Sequence, residues 1–281
     1  MKAAVERFSP VPLEVVRDFW NSRPCNIRHS PRQLGTLEYF EDVRQRKYFV
    51  EPHIPQFAEF GRWDGRRVLE IGCGIGTDTI SFAQAGASVT AIDLSERSLE
   101  IARQCAKVYG VADRVRFIRA NAERLSESLS PEPFDLIYSF GVIHHTPHPE
   151  FAIAEMRKFA VPGTTLKVMV YNRYSWRVFA IVVGSGRGRF WNLDQLVSEL
   201  SEAQTGCPVT YSYSRRAARQ LLQHHGFNVV GCRVEHIFPY RVEEYTHYRY
   251  VRQWKFQVIP PPLFRWLERR VGWHLCLTAR V

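Results

Sequence analysis

The sequence predicts an α/β protein, a parallel sheet covered by helices on both faces. Three observations carry that expectation. From Arg67 onward, short runs rich in Val, Ile and Leu alternate with helical stretches, the pattern of strand–helix–strand units. The first run ends in a cluster of glycines, Gly72, Gly74 and Gly76. The second ends on an acid, Asp93. An open parallel sheet carries such residues where a ligand enters the crevice at the carboxyl ends of its strands.

The elements follow in order. Residues 1–61 read as irregular and helical, with Pro10, Pro12, Pro24, Pro31, Pro52 and Pro55 breaking them up. Leu37 to Phe49 is expected as a helix, with Tyr39, Val43 and Arg46 on one face and Phe40 and Lys47 beside them. This segment is assigned as a lid. Residues 62–171 hold the ligand-binding half of the sheet. Val68–Ile71 is strand one, and the small residues of Thr77–Ala85 make the helix after it. Ser88–Ile92 is strand two. Ser95 offers a capping hydroxyl to a helix that buries Leu99, Ala102, Ala106 and Tyr109 and stops at Gly110. Val115–Ile118 is strand three and Phe134–Phe140 strand four. A helix from Pro149 to Ala160 and a Pro162-Gly163 turn lead to strand five, Leu166–Tyr171.

The pattern then lapses. Residues 172–213 are an insertion with a short apolar helix, a Gly-Ser-Gly-Arg-Gly-Arg loop (Gly184 to Arg189) and a helix from Leu193 to Leu200. It resumes over 214–235 and 273–281: a helix Ser214–His225 capped by Gly226, a strand Phe227–Val234 and a last strand Trp273–Val281. Residues 236–272 form a second insertion, aromatic and basic.

Hydrophobic residues make up 45 % of 281, enough for a sizeable core. The formal charge of +10 is carried mostly by arginine and reads first as solvated surface. No two of the six cysteines form a Cys-x-x-Cys pair, which points to a reducing compartment. No signal segment precedes Ser9-Pro10, and no apolar stretch is long enough to span a bilayer. The cytoplasm is the expected location.

The glycine loop can be read chemically. Its spacing is Gly-x-Gly-x-Gly, without the further residue that a dinucleotide fingerprint places before its last glycine. Glu70 precedes it and Asp78 follows it. Two like charges about 4 Å apart repel by about 4 kcal/mol at an effective dielectric of 20, so a pyrophosphate is disfavoured there. S-adenosylmethionine has no phosphate and carries a sulfonium and an ammonium, which acids attract. Asp93 stands where a carboxylate accepts hydrogen bonds from ribose hydroxyls. Leu94 would lie beside an adenine, and the amide of Asn121 could meet its edge.

At these residues the chain resembles a family. Val68-Leu69-Glu70-Ile71-Gly72-Cys73-Gly74-Ile75-Gly76-Thr77-Asp78 is similar to motif I of the class I S-adenosylmethionine-dependent methyltransferases, in particular the small-molecule group with the ubiquinone and menaquinone biosynthesis enzymes. Ala91-Ile92-Asp93-Leu94-Ser95 resembles the acidic loop after strand two. Asn121-Ala122-Glu123 resembles the adenine loop, with Asn in place of its Asp. The run Phe134 to His145 resembles the fourth-strand motif. The resemblance covers about Arg67 to Tyr171. It implies a Rossmann-like seven-strand sheet in the order 3-2-1-4-5-7-6, with strand seven antiparallel and insertions after strands five and six. It implies S-adenosyl-L-methionine as cofactor, held by Glu70, Gly72, Cys73, Gly74, Gly76, Thr77, Asp78, Asp93, Leu94, Asn121, Ala122, Glu123 and Phe140.

Methyl transfer needs alignment and exclusion of water, and a base only where the acceptor must lose a proton. His144 and His145, just past strand four, are the candidate bases. His144, His145 and His148 do not read as a metal set, because Pro147 and Pro149 break the helix that would align them and no carboxylate or thiolate cluster joins them. No metal is expected. Tyr171, Arg173 and Tyr174, at the end of strand five, are candidates for holding the acceptor. Ser139-Phe140-Gly141-Val142 lacks the Pro-Pro clamp of enzymes that methylate amino groups of nucleic acid, and no RNA-binding module is visible. A small, partly aromatic or lipophilic acceptor, methylated on oxygen or nitrogen, is therefore expected, under a roof of aromatics from the lid and the second insertion. The alternatives are an RNA methyltransferase and a non-catalytic scaffold. The amphipathic run Leu263 to Arg270 reads first as a packed helix, and second as a membrane-surface contact.

Overall fold

The computed structural model describes residue 8, residues 10–184, 186, 188, 191, 193–204 and 206–281. The Gly184–Arg189 loop lies partly outside the described residues, at Ser185, Arg187 and Arg189, as do residues 1–7 of the lid.

Three helices precede the sheet: α1 (Leu13–Ser22), α2 (Leu37–Val50) and α3 (His53–Ala58). Then come β1 (Arg67–Ile71), α4 (Thr77–Gln84), β2 (Ser88–Asp93), α5 (Glu96–Val108), β3 (Val115–Arg119), β4 (Leu136–Phe140), α6 (Pro149–Lys158) and β5 (Thr165–Asn172). The remainder is α7 (Trp176–Val183), α8 (Leu193–Gln204), β6 (Ser212–Tyr213), α9 (Arg215–His224), β7 (Asn228–Glu235), α10 (Val242–Thr246), α11 (Trp254–Gln257), α12 (Pro261–Val271) and β8 (His274–Arg280).

The sheet order is β3-β2-β1-β4-β5-β8-β7, with β8 antiparallel to both neighbours. β7 and β8 are the expected strands six and seven, so order and direction are as expected. The two-residue β6, which pairs with the end of β5, is an addition. It is too short to show a period in sequence.

Strand periodicity builds the two cores. Leu69, Ile71, Ile92, Ile137 and Leu166 face one side and pack with Ile153 and Met156 of α6 and Leu222 of α9. Val68, Val89, Ala91, Leu136 and Tyr138 face the other and pack with Ile80 of α4 and Leu99 of α5. Successive strand residues alternate faces, so central strands buried on both sides must be apolar almost throughout. Ser95 caps α5 by accepting the Ser98 N–H at 3.1 Å.

The α2 helix adds its own buried face, Tyr39, Phe40, Val43 and Arg46. The Arg46 guanidinium lies 3.9 Å from the Tyr245 ring and 4.6 Å from that of Tyr248, and it donates to the Tyr245 carbonyl. These contacts fasten the lid to the second insertion. That insertion has a small core of its own, Ile237, Phe256 and Phe264, against Trp176 and Leu267. Among the described residues no helix is long and apolar enough to cross a membrane.

Candidate active site

The glycine loop is shaped by close approach. Gly72 has φ +75°, and a Cβ there would sit 2.2 Å from Val142 Cγ2. Its N–H and that of Cys73 both donate to the Ile92 carbonyl, at 2.7 and 3.0 Å, which folds the loop onto the end of β2. Asp93 completes the turn. One carboxylate oxygen accepts the Gly74 N–H and the other the Ser95 N–H, both at 2.8 Å. Burial raises the Asp93 pKa, although these N–H groups pull it back. With two bonds made, an ionised carboxylate has acceptor sites left for a ligand.

Over this loop lies a cavity of about 1000 Å³ including its open mouth, a volume suited to a small-molecule ligand. Gly72, Cys73, Gly74, Thr77, Asp93, Leu94, Asn121, Ala122 and Phe140 line it. The Asn121 side-chain oxygen accepts the Glu123 N–H at 3.0 Å, so its amide N–H groups are what it offers a ligand.

Glu70, Gly76, Asp78 and Glu123 were expected in the same set and do not line the cavity. Gly76 serves packing, since a Cβ there would come within 3.1 Å of Ala102. Glu123 accepts the His148 N–H at 2.7 Å and fixes the start of α6. Glu70 and Asp78, expected to face the ligand as charges, both have partners inside the protein. Glu70 is buried, and burial followed by the neighbouring Asp78 charge raises its pKa, which favours a neutral carboxyl. It accepts the Thr79 hydroxyl. Asp78 is an ion-pair partner of Lys47, 2.7 Å away, and also accepts the hydroxyls of Tyr48 at 2.9 Å and Tyr138 at 3.0 Å. Neither acid turns an uncompensated charge to the ligand. Of the acids named in the expected set, Asp93 alone lines the cavity.

The two histidines also part company. His145 lines the cavity. Its Nδ1 is 2.8 Å from the Val209 carbonyl. A carbonyl only accepts, so Nδ1 carries the proton and Nε2 is the basic nitrogen of the neutral ring. His144 is fully buried, neither ring nitrogen has a hydrogen-bond partner among the described residues, and burial holds its pKa well below the usual histidine range. It packs 3.9 Å from the Tyr171 ring, away from the cavity lining.

The three acceptor candidates stand apart from this cavity. Tyr171 is buried between His144 and Trp273, whose ring stacks on it at 4.1 Å. Arg173 pairs with the buried Asp194 at 2.7 Å and ties β5 to α8. Tyr174 is 70 % exposed. None of the three lines the cavity.

The lid contributes instead. Leu13, Val16 and Trp20 of α1, with Asn26 and Lys47, line the cavity. The Ser95 hydroxyl donates to Asn21 Oδ1 at 2.8 Å, and the Trp20 ring meets His145 edge-on at 5.4 Å. The lid therefore covers the glycine loop. Lys47 was legible only as a helix position beside Arg46. Its role comes from an ion pair with Asp78, across a separation no local pattern encodes.

Residues 68–163 match the family described as a methyltransferase domain. The chain is 31 % identical over 163 residues to the ubiquinone biosynthesis O-methyltransferase of Hahella chejuensis, covering 54 % of this chain and 67 % of that one. It is 34 % identical over 121 residues to the protein of that name from Pseudomonas aeruginosa, covering 43 % and 51 %. It thus spans two thirds of one relative's length and about half of the other's. The magnesium protoporphyrin IX methyltransferase of Synechocystis PCC 6803, solved with bound S-adenosylhomocysteine, superposes with a TM-score of 0.60 over 96 % of this chain and 100 % of that one, at 17 % identity.

Proposed function

This chain belongs to the class I S-adenosylmethionine-dependent methyltransferases, and we propose that it methylates an oxygen on a small, partly aromatic or lipophilic metabolite. The observation that carries this reading is His145. Its ring sits at the cavity wall with Nδ1 committed to Val209, so its Nε2 would take the proton of an acceptor hydroxyl. S-adenosylmethionine, when bound, would supply the methyl group that the acceptor oxygen takes from its sulfonium, with S-adenosylhomocysteine as the other product. Apolar Leu13, Val16, Trp20, Phe140 and Val142 around the cavity suit an apolar acceptor and exclude water. Likeness to the ubiquinone biosynthesis O-methyltransferases supports oxygen over nitrogen. Asp93 and Asn121 would hold ribose and adenine. A cytoplasmic reaction is part of this reading.

The test is methyl transfer from labelled S-adenosylmethionine to a panel of catechols and phenols with apolar tails, with total RNA as a competing acceptor. We expect label on phenolic oxygen, lost in His145→Ala while S-adenosylhomocysteine still binds. Label on RNA alone would overturn the acceptor class. Cofactor binding without transfer to any acceptor would favour the scaffold reading.

A further inference from the structure

We infer that Glu51, His236 and His274 form a binding site for a divalent transition-metal ion, with His53 as the partner that orients His274. These side chains come from three distant stretches: the ends of α2 and α3 that meet at Glu51 and His53, the residue after β7, and the first residue of β8. One ligand atom each from Glu51, His236 and His274 lies within 4.8 Å of the others. His274 Nε2 is 3.6 Å from Glu51 Oε1, while its Nδ1 is 3.0 Å from His53 Nε2. The two nitrogens thus have separate duties: Nδ1 meets a second imidazole and Nε2 faces the carboxylate. Metal-bound histidines are wired in this way, one nitrogen on the ion and the other fixed by a neighbour.

The chemistry of the cluster fits a cation. The rings of His53, His236 and His274 lie 4.6 to 5.7 Å apart, centre to centre, too close for three charged imidazoles. Imidazoles ligate in their neutral form. Two imidazoles and one carboxylate are a donor set for zinc, ferrous iron or cobalt, with a position left for water or a ligand oxygen. A tetrahedral ion with bonds of about 2.1 Å separates its donors by about 3.4 Å. The His274–Glu51 pair, at 3.6 Å, is already near that distance, and the His236 donor lies within 4.8 Å of both. The His236 backbone is held at φ +70°, a costly conformation for histidine. The Trp273 N–H donates to its carbonyl at 2.7 Å, beside the start of β8. Phe140, which lines the cofactor cavity, has its ring centre 5.9 Å from that of His53 and 5.5 Å from that of His274. The ion would sit one aromatic ring away from the cavity. This inference stands whether or not His145 is the base.

The experiment uses the full chain without added histidines, stripped with a chelator and titrated with Co(II), with Zn(II) as competitor. One Co(II) per chain with the visible bands of a four- or five-coordinate nitrogen/oxygen site, displaced by Zn(II), is expected. His236→Gly should weaken Co(II) binding at least 100-fold. Glycine accepts φ +70°, so this variant keeps the fold, and an S-adenosylhomocysteine affinity within about twofold of wild type verifies that. His53→Gln should weaken Co(II) binding about 10- to 100-fold. Absence of specific bands, or bands unchanged in His236→Gly, overturns the site. Either result leaves the proposed methyl transfer standing, because that reaction is read from transferred label.

Discussion

Lys47 offers the sharpest test of how lid and core are joined. Its ammonium is 2.7 Å from Asp78, whose side chain is 3 % exposed. At an effective dielectric of 20 that separation corresponds to an attraction of about 6 kcal/mol. Burial pushes the Lys47 pKa down, but the charge and hydrogen bond of Asp78, helped by the Glu51 charge, more than reverse it, so the ammonium stays charged. Removing one partner of a buried pair costs about 3–5 kcal/mol, because the other charge is stranded. Lys47→Met should therefore lower the melting temperature by about 6–20 °C for a chain of this size. The tyrosine hydroxyls of Tyr48 and Tyr138 still reach Asp78, which places the expected value toward the lower end. Asp78→Asn in the Lys47→Met background should restore much of the loss. The assay is denaturant unfolding of both single variants and the double, with cofactor absent. A coupling energy of at least about 2 kcal/mol is expected. Additive losses would refute the reasoning, since the two groups would then not be stabilising one another.

Three further outcomes are expected. Asp93→Ala should weaken S-adenosylhomocysteine binding about 10- to 150-fold, the equivalent of about 1.5–3 kcal/mol for a charge-assisted hydrogen bond; calorimetric titration showing unchanged affinity would remove Asp93 from the cofactor site. Gly72→Ala should abolish cofactor binding in the same assay, because its Cβ would stand 2.2 Å from Val142 at a backbone angle alanine resists; near-normal binding would mean the loop can shift. His144→Leu should stabilise the protein and flatten its acid limb. The depressed folded pKa of His144 means the unfolded chain binds its proton first, so its contribution is present above pH 6.5 and lost as pH falls below it, by on the order of 1 kcal/mol at pH 5.5. Unaltered pH dependence in His144→Leu would refute that linkage, and loss of transfer would return His144 to the list of functional groups.

The sheet was legible because its signals are local. The alternation of Val68, Leu69 and Ile71 sets two faces within one strand, and Ser95 announces its helix from the next residue. The cofactor loop was equally legible, since Gly72 through Asp93 stand in one strand–helix–strand unit. What failed were inferences about where a side chain ends up. Arg173 looked like an acceptor ligand at the end of β5, but the buried Asp194, on a helix from the first insertion, claims it. Glu70 and Asp78 were read as charges facing the ligand because a sequence shows acids without their partners. Lys47 cancels one, and burial with the Asp78 charge favours proton retention by the other. The cluster of Glu51, His53, His236 and His274 was invisible for the same reason: β8 returns antiparallel beside β5 and brings together residues from opposite ends of the chain.

These long-range pairs have a consequence for how the cavity opens. The α1 helix covers the cavity with Leu13, Val16 and Trp20, and it packs on Val209 and Tyr211, beside the carbonyl that fixes the tautomer of His145. The α2 helix, by contrast, is locked twice, through Lys47 to α4 and through Arg46 to the second insertion. Moving α2 would break a buried ion pair and a cation–π stack, whereas moving α1 separates mainly apolar surface and the Ser95–Asn21 bond. Of the two lid helices, α1, which walls the cavity, is therefore the one held by the cheaper contacts.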